Sequence, residues 1–208
     1  MRNILFVILI TITASDMYAQ YVSVDTVKLN EAYRNLMASN SQENQEAYFK
    51  AFPNNWMEYI ATYQSCKDSK PKNLQYSYVY EQVKAFGKLK TISYVEYCRK
   101  LVNLAVGAKL DLGASNYLQI LLHAKMITMS GSIFNTLAWL HRGHQFEFWA
   151  FYWASPYISK DNVTDLEHLQ KLYKEKHPLE VKIMVDAYKF FSGKVNLVSS
   201  GYLESDKK

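Results

Sequence analysis

SIFNTLAWLHRGHQFEFWAFYW, residues 132–153, is the stretch from which the fold can be read. It holds three of the chain's four tryptophans and two of its five histidines, within a run dominated by aromatic side chains. So much bulky apolar surface either occupies the centre of a core or forms a binding surface, and the periodicity favours the core. Phe134, Leu137, Ala138 and His141 fall on one helical face. Phe148, Trp149, Tyr152 and Trp153 fall on another, with Gly143 between them as the expected break. No part of the stretch spells out a reaction.

The same reading extends outward in both directions. Upstream, Ser115 is placed to cap a very apolar helix from Asn116 to Met129, and Gly131 is expected to separate that helix from the central stretch. Gln119, His123 and Lys125 interrupt its apolar surface, which marks burial in protein and not in lipid. Downstream, Ser155-Pro156 closes the stretch. Thr164-Asp-Leu-Glu167 has the spacing of a capping box and leads Leu166, Leu169 and Tyr173 into a helix that stops before Pro178. Ile183, Met184, Ala187, Tyr188 and Phe191 trace a last helix from Leu179 to Ser192-Gly193.

The first half carries the same punctuation. Val27, Ala32, Tyr33, Leu36 and Met37 form an apolar stripe from Asp25 to Ala38, and Ser39-Asn40-Ser41 breaks it and offers the next cap. Ala47, Tyr48, Ala51 and Phe52 follow until Pro53 stops the helix. Asn55 and Glu58 start another, carrying Trp56, Tyr59, Ile60 and Tyr63 up to about Cys66. Leu74 to Tyr80 alternates like a strand, but Tyr76, Val79, Tyr80, Val83 and Phe86 fit a helix over the longer window, with Gly87 as its C-cap. Ser93 and Glu96 form a further capping box, and Val95, Cys98, Leu101, Val102 and Ala105 run down one face to Gly107. All four prolines and most glycines lie between these segments. The pattern predicts an all-α fold, a single irregular bundle of about eight amphipathic helices over residues 20–193, with 194–208 as a fraying tail.

The start of the chain speaks to compartment. Arg2 precedes an uncharged run from Ile4 to Ala14, and Ser15 to Ala19 ends in a small residue. This is the layout of a cleavable secretory signal over residues 1–19, its apolar run short of the roughly 20 residues that cross a bilayer. An uncleaved N-terminal anchor is the alternative. The expected product is periplasmic or secreted and soluble after cleavage. The formal charge is +5, which favours anionic partners but is far from a nucleic-acid signature. Cys66 and Cys98 are the only cysteines. In an oxidising compartment they either form one disulfide, stabilising the fold by about 3–4 kcal/mol, or stand as two buried thiols.

Candidate chemistry is sparse. His141, His144 and Glu147 are spaced i, i+3, i+6 and span about 120° of a continuous helix, so neighbours in that series can share a metal with a further ligand such as His123. The tighter HExxH or repeated Glu-x-x-His signatures are absent, as are nucleophile-elbow and phosphate-loop motifs. No cofactor is expected, and an enzyme is the runner-up reading only. Tyrosine, at 17 residues the commonest aromatic, suits a protein interface. Tyr76, Tyr78 and Tyr80, beside Lys70, Lys72 and Lys84, are the candidate partner-binding residues.

The segment Glu46-Ala-Tyr48-Phe49-Lys-Ala-Phe52-Pro53-Asn54-Asn-Trp56-Met-Glu58-Tyr59 resembles a pattern in small exported helical proteins of Bacteroidota, some of which are similar to immunity proteins for antibacterial toxins. The resemblance covers only this segment and carries over no functional residue. It implies a non-enzymatic protein that binds a cognate toxin, or another envelope protein, and blocks it. The alternative is an envelope hydrolase or metal-dependent enzyme using His141, His144 and Glu147.

Overall fold

The computed structural model describes residues 24–64, 72–110, 113–154 and 160–204, and the side chains of 24–63, 77–110, 113–154 and 162–193. Helices α1 (Thr26–Ala38), α2 (Gln42–Ala51), α3 (Trp56–Gln64), α4 (Lys72–Gly87), α5 (Tyr94–Ala105), α6 (Ala114–Leu137), α7 (Arg142–Trp153), α8 (Lys160–Tyr173) and α9 (Pro178–Glu204) follow one another, with no strand among the described residues. The expected all-α bundle is what the chain forms.

Short polar side chains start several helices by satisfying amide N–H groups that have no intrahelical partner. Asp25 accepts from Lys28 N at 2.9 Å, Ser41 from Asn44 N at 3.2 Å, Asn55 from Glu58 N at 2.9 Å and Ser93 from Glu96 N at 3.3 Å. Glu58 completes its box by accepting from Asn54 N at 2.8 Å. Pro53 ends α2 because it has no N–H to offer the carbonyl of Phe49.

Other boundaries differ from the sequence reading. Ser115 does not cap α6; the helix begins at Ala114 with Gly113 in the cap position, and Ser115 is fully buried in its first turn. The expected separation near Gly131 is present as an interruption two residues earlier, at Met129, where φ of −134° and ψ of 16° are non-helical. The chain runs on through a kink at Met129, beside the Ser130-Gly131 pair that weakens the helix there. The break in the central stretch falls at Ala138–His141, and Gly143 lies inside α7. Thr164 sits within α8, which starts at Lys160 because nothing between those residues interrupts propagation. Likewise α9 passes through Gly193 to Glu204, so the backbone of the expected tail is helical as far as that residue. α4 does end at Gly87 as expected, but without a left-handed conformation there; a Cβ would stand 2.7 Å from Leu121 Cδ1, so glycine lets α4 approach α6. Gly107 is the glycine with positive φ, +73°, turning the chain after α5.

Helix α6 is the hub, packed against α3, α4, α5 and α7, while α7 lies along α9 and α1 along α2. One aromatic cluster joins α2 to α5: Phe52 stacks on Phe86 with centroids 4.3 Å apart, and Phe86 on Tyr97 at 4.9 Å. A second joins α6 to α9, where Phe134 meets Trp149 at 5.4 Å and Trp153 meets Tyr188 at 5.3 Å. Phe134, Leu137, Phe148, Trp149, Tyr152 and Trp153 are buried, as the central stretch predicts. Trp139 and His141 are not.

Candidate functional site

The histidines of the central stretch mark a helix start. His141 is the N-cap of α7, its Nδ1 accepting from Gly143 N at 3.2 Å. Its ring and that of His144 stand 6.5 Å apart, and His141, His144 and Glu147 are all exposed. His123 does not join them. Its ring stacks on Tyr152 at 4.1 Å, and its Nε2 lies 3.0 Å from the Tyr152 carbonyl oxygen. Burial holds the imidazole below its ordinary range, against the opposing pull of that carbonyl. Among the described residues no three His, Cys, Asp or Glu side chains converge to hold a metal. Cys98 is a buried free thiol pushed up to about 11 by burial, while Cys66 lies outside the described residues.

The tyrosine and lysine candidates divide. Lys70 lies outside the described residues; Lys72 and Tyr76 belong to α4, with side chains outside the described set. Tyr78 is half-buried and its hydroxyl accepts from Gln82 Nε2 at 2.7 Å. That glutamine, fully buried, also accepts from the Tyr63 hydroxyl at 2.8 Å and donates to Asn30 Oδ1 at 3.2 Å. Tyr78 therefore serves the interior as much as the surface. Tyr80 is different. It is 42% exposed, meets Tyr117 of α6 at 5.4 Å and has the Lys84 ammonium 5.1 Å above its ring.

From that aromatic pair an uncovered strip continues along α6. Tyr117, Ile120, Ala124 and Ile127 share one helical face. Ile120 is 57% exposed and Ile127 85%, with Ala124 exposed between them. Nothing charged lies among these four positions. The strip was hidden in the sequence because the helix is apolar on every side, which reads as burial; an excess of apolar width over what one core face needs was the available signal.

Lys100 is the second residue that spacing did not single out. Buried on α5, its Nζ donates to the carbonyls of Phe49 and, at 2.8 Å, Phe52, and sits 4.5 Å from the centre of the Phe49 ring. It thus supplies the donor that Pro53 cannot. Burial pulls the ammonium down to about 8, with Glu58 opposing. Its role is to close the end of α2.

No protein-family model, no curated protein and no solved structure matches the chain.

Proposed function

We propose that the chain is an exported, non-enzymatic protein-binding module whose contact face runs from Tyr80 and Lys84 on α4 along Tyr117, Ile120, Ala124 and Ile127 on α6. The observation that carries this reading is the uncovered α6 strip. Large apolar side chains at this exposure are isolated on most surfaces, whereas here they line up beside a tyrosine pair and a lysine. Aromatic anchors with an apolar centre suit a protein partner that is apolar where it meets Ile127 and polar where it meets Lys84, whose ammonium is paired with Glu81 at 3.5 Å. Neutralisation of an antibacterial toxin in the cell envelope, the function the Glu46–Tyr59 resemblance implies, is the specific form proposed, with a periplasmic or secreted location after signal cleavage.

The test uses residues 20–208 as bait against envelope and culture-supernatant fractions of the source and of competing strains. The expected result is one stoichiometric protein whose toxicity the bait blocks. An Ile127→Asp variant should lose that protein while its thermal melt is unchanged, because the side chain touches little of its own fold. Capture that persists in Ile127→Asp and in Tyr80→Ala would refute the assignment of the face. Absence of any stoichiometric partner would refute the binding reading itself.

A further inference from the structure

A second exposed feature lies at a different place in the fold, at the α6–α7 turn. Trp139 is 90% exposed, although tryptophan is among the most buried side chains on average. The turn that presents it is held from both sides. Trp139 N donates to Thr136 O at 3.2 Å and Leu140 N to Leu137 O at 2.9 Å. Gln145 Nε2 reaches back to Leu140 O at 3.0 Å. The indole is therefore carried on a fixed tip.

The surroundings of that tip are cationic. Arg142 is exposed beside it, no acidic residue occurs between Asn135 and Phe146, and α7 has no acidic side chain in its first turn to offset the positive end of its dipole, the exposed Glu147 following one turn further on. Phe134, one turn before Ala138, stacks on Tyr173 at 4.2 Å and lies 5.7 Å from His177, which brings the α8–α9 corner beside the last turns of α6. That corner adds exposed Lys174 and Lys176, with Glu175 between them, and two more apolar side chains, Leu172 at 52% and Leu179 at 36% exposure.

We propose that this end of the bundle is a peripheral docking surface for an anionic lipid bilayer. Tryptophan favours the headgroup level, where its ring is apolar and its N–H stays wet. Arginine and lysine beside it answer lipid phosphates, each adding electrostatic attraction to an anionic leaflet. Convex turn tips that mix apolar and cationic side chains sink into a fluid interface, whereas a protein partner would need a cleft shaped to receive them. The insertion is shallow, since no helix among the described residues is long and apolar enough to cross a membrane. This surface is separate from the α4–α6 face and does not depend on it.

The experiment is co-sedimentation of residues 20–208, which contain every described element, with vesicles of equimolar phosphatidylcholine and phosphatidylglycerol, and with phosphatidylcholine alone. Binding is expected to the anionic vesicles, weakened by salt, with a blue shift of tryptophan emission. Trp139→Ala should lower the partition coefficient about tenfold or more, the loss expected for an apolar side chain that no longer leaves water. Arg142→Glu should lower it about tenfold at low salt and flatten the salt dependence. Both side chains are exposed, so the variants should melt as the parent does. Lack of binding by the parent, or binding unchanged in Trp139→Ala, overturns the proposal. Retention of the tip's effect only against a purified protein partner overturns it too and assigns the tip to that partner.

Discussion

Replacing Lys100 by methionine sets two opposing quantities against each other, and pH separates them. The variant keeps the apolar stem but leaves the carbonyls of Phe49 and Phe52 without their donor. Each unsatisfied buried carbonyl costs about 1–3 kcal/mol. Against this, burial lowers the lysine from 10.5 to about 8, so folding disfavours the ammonium by about 3 kcal/mol at neutral pH, and methionine carries no such penalty. The two effects are comparable, and a net loss of only about 1–2 kcal/mol is expected near neutrality. The sign of the pH dependence follows from the depressed value. Between about 8 and 10.5 the unfolded chain binds the proton more than the folded one does, so stability from this group rises with pH and is least below 8. The neutral amine still has a donor for each carbonyl. The difference between parent and variant should therefore widen by about 2 kcal/mol from pH 8 to pH 9.5. Urea unfolding followed by circular dichroism at the two pH values measures it, and titrations of Cys98 and the buried tyrosines cancel in the comparison. A difference that is constant or shrinks with pH would show that Lys100 is not the buried donor described above.

Three further outcomes are expected. Gly107→Ala should destabilise by about 1–2 kcal/mol, a fall of several degrees in melting temperature, because φ of +73° is costly for alanine while the nearest atom to its Cβ, Glu147 Oε2, is 4.0 Å away and leaves room. In a Cys66→Ser background, Cys98 should ignore a thiol reagent in the native state and react fully in denaturant, since it is buried and its thiolate is disfavoured; native-state labelling would contradict the packing around it. Acrylamide should quench one readily accessible tryptophan component that disappears in Trp139→Phe, because Trp149 and Trp153 are 0% and 3% exposed and Trp56 is partly buried against Tyr59 and Phe151; equally strong quenching after the substitution would place a different indole at the surface.

The two largest departures from the sequence reading share a cause. Lys100 resembles any polar residue of an amphipathic helix, and its partners lie about fifty positions away on another helix. Ile120 and Ile127 look identical to Leu118 and Leu122 in the same apolar helix, yet the latter are fully buried and the former are not. Windows of a few turns report how much apolar surface a helix has; they do not report how much of it neighbours will cover. The candidate face was therefore half legible: Tyr80 and Lys84 stood out by composition, and the α6 strip that extends them did not.

What the residues determine by themselves is local. Asp25, Ser41, Asn55 and Ser93 cap their helices through side chains three positions from the amides they satisfy, and Pro53 ends α2 through a missing N–H. These interactions need no distant partner and survive any arrangement of the bundle, so helix content and class follow from them. Tertiary structure alone decided that Trp139 points outward from the most aromatic stretch of the chain and that one face of α6 is left open. Each of those depends on which surfaces meet across the fold, and burial is a property of pairs of helices.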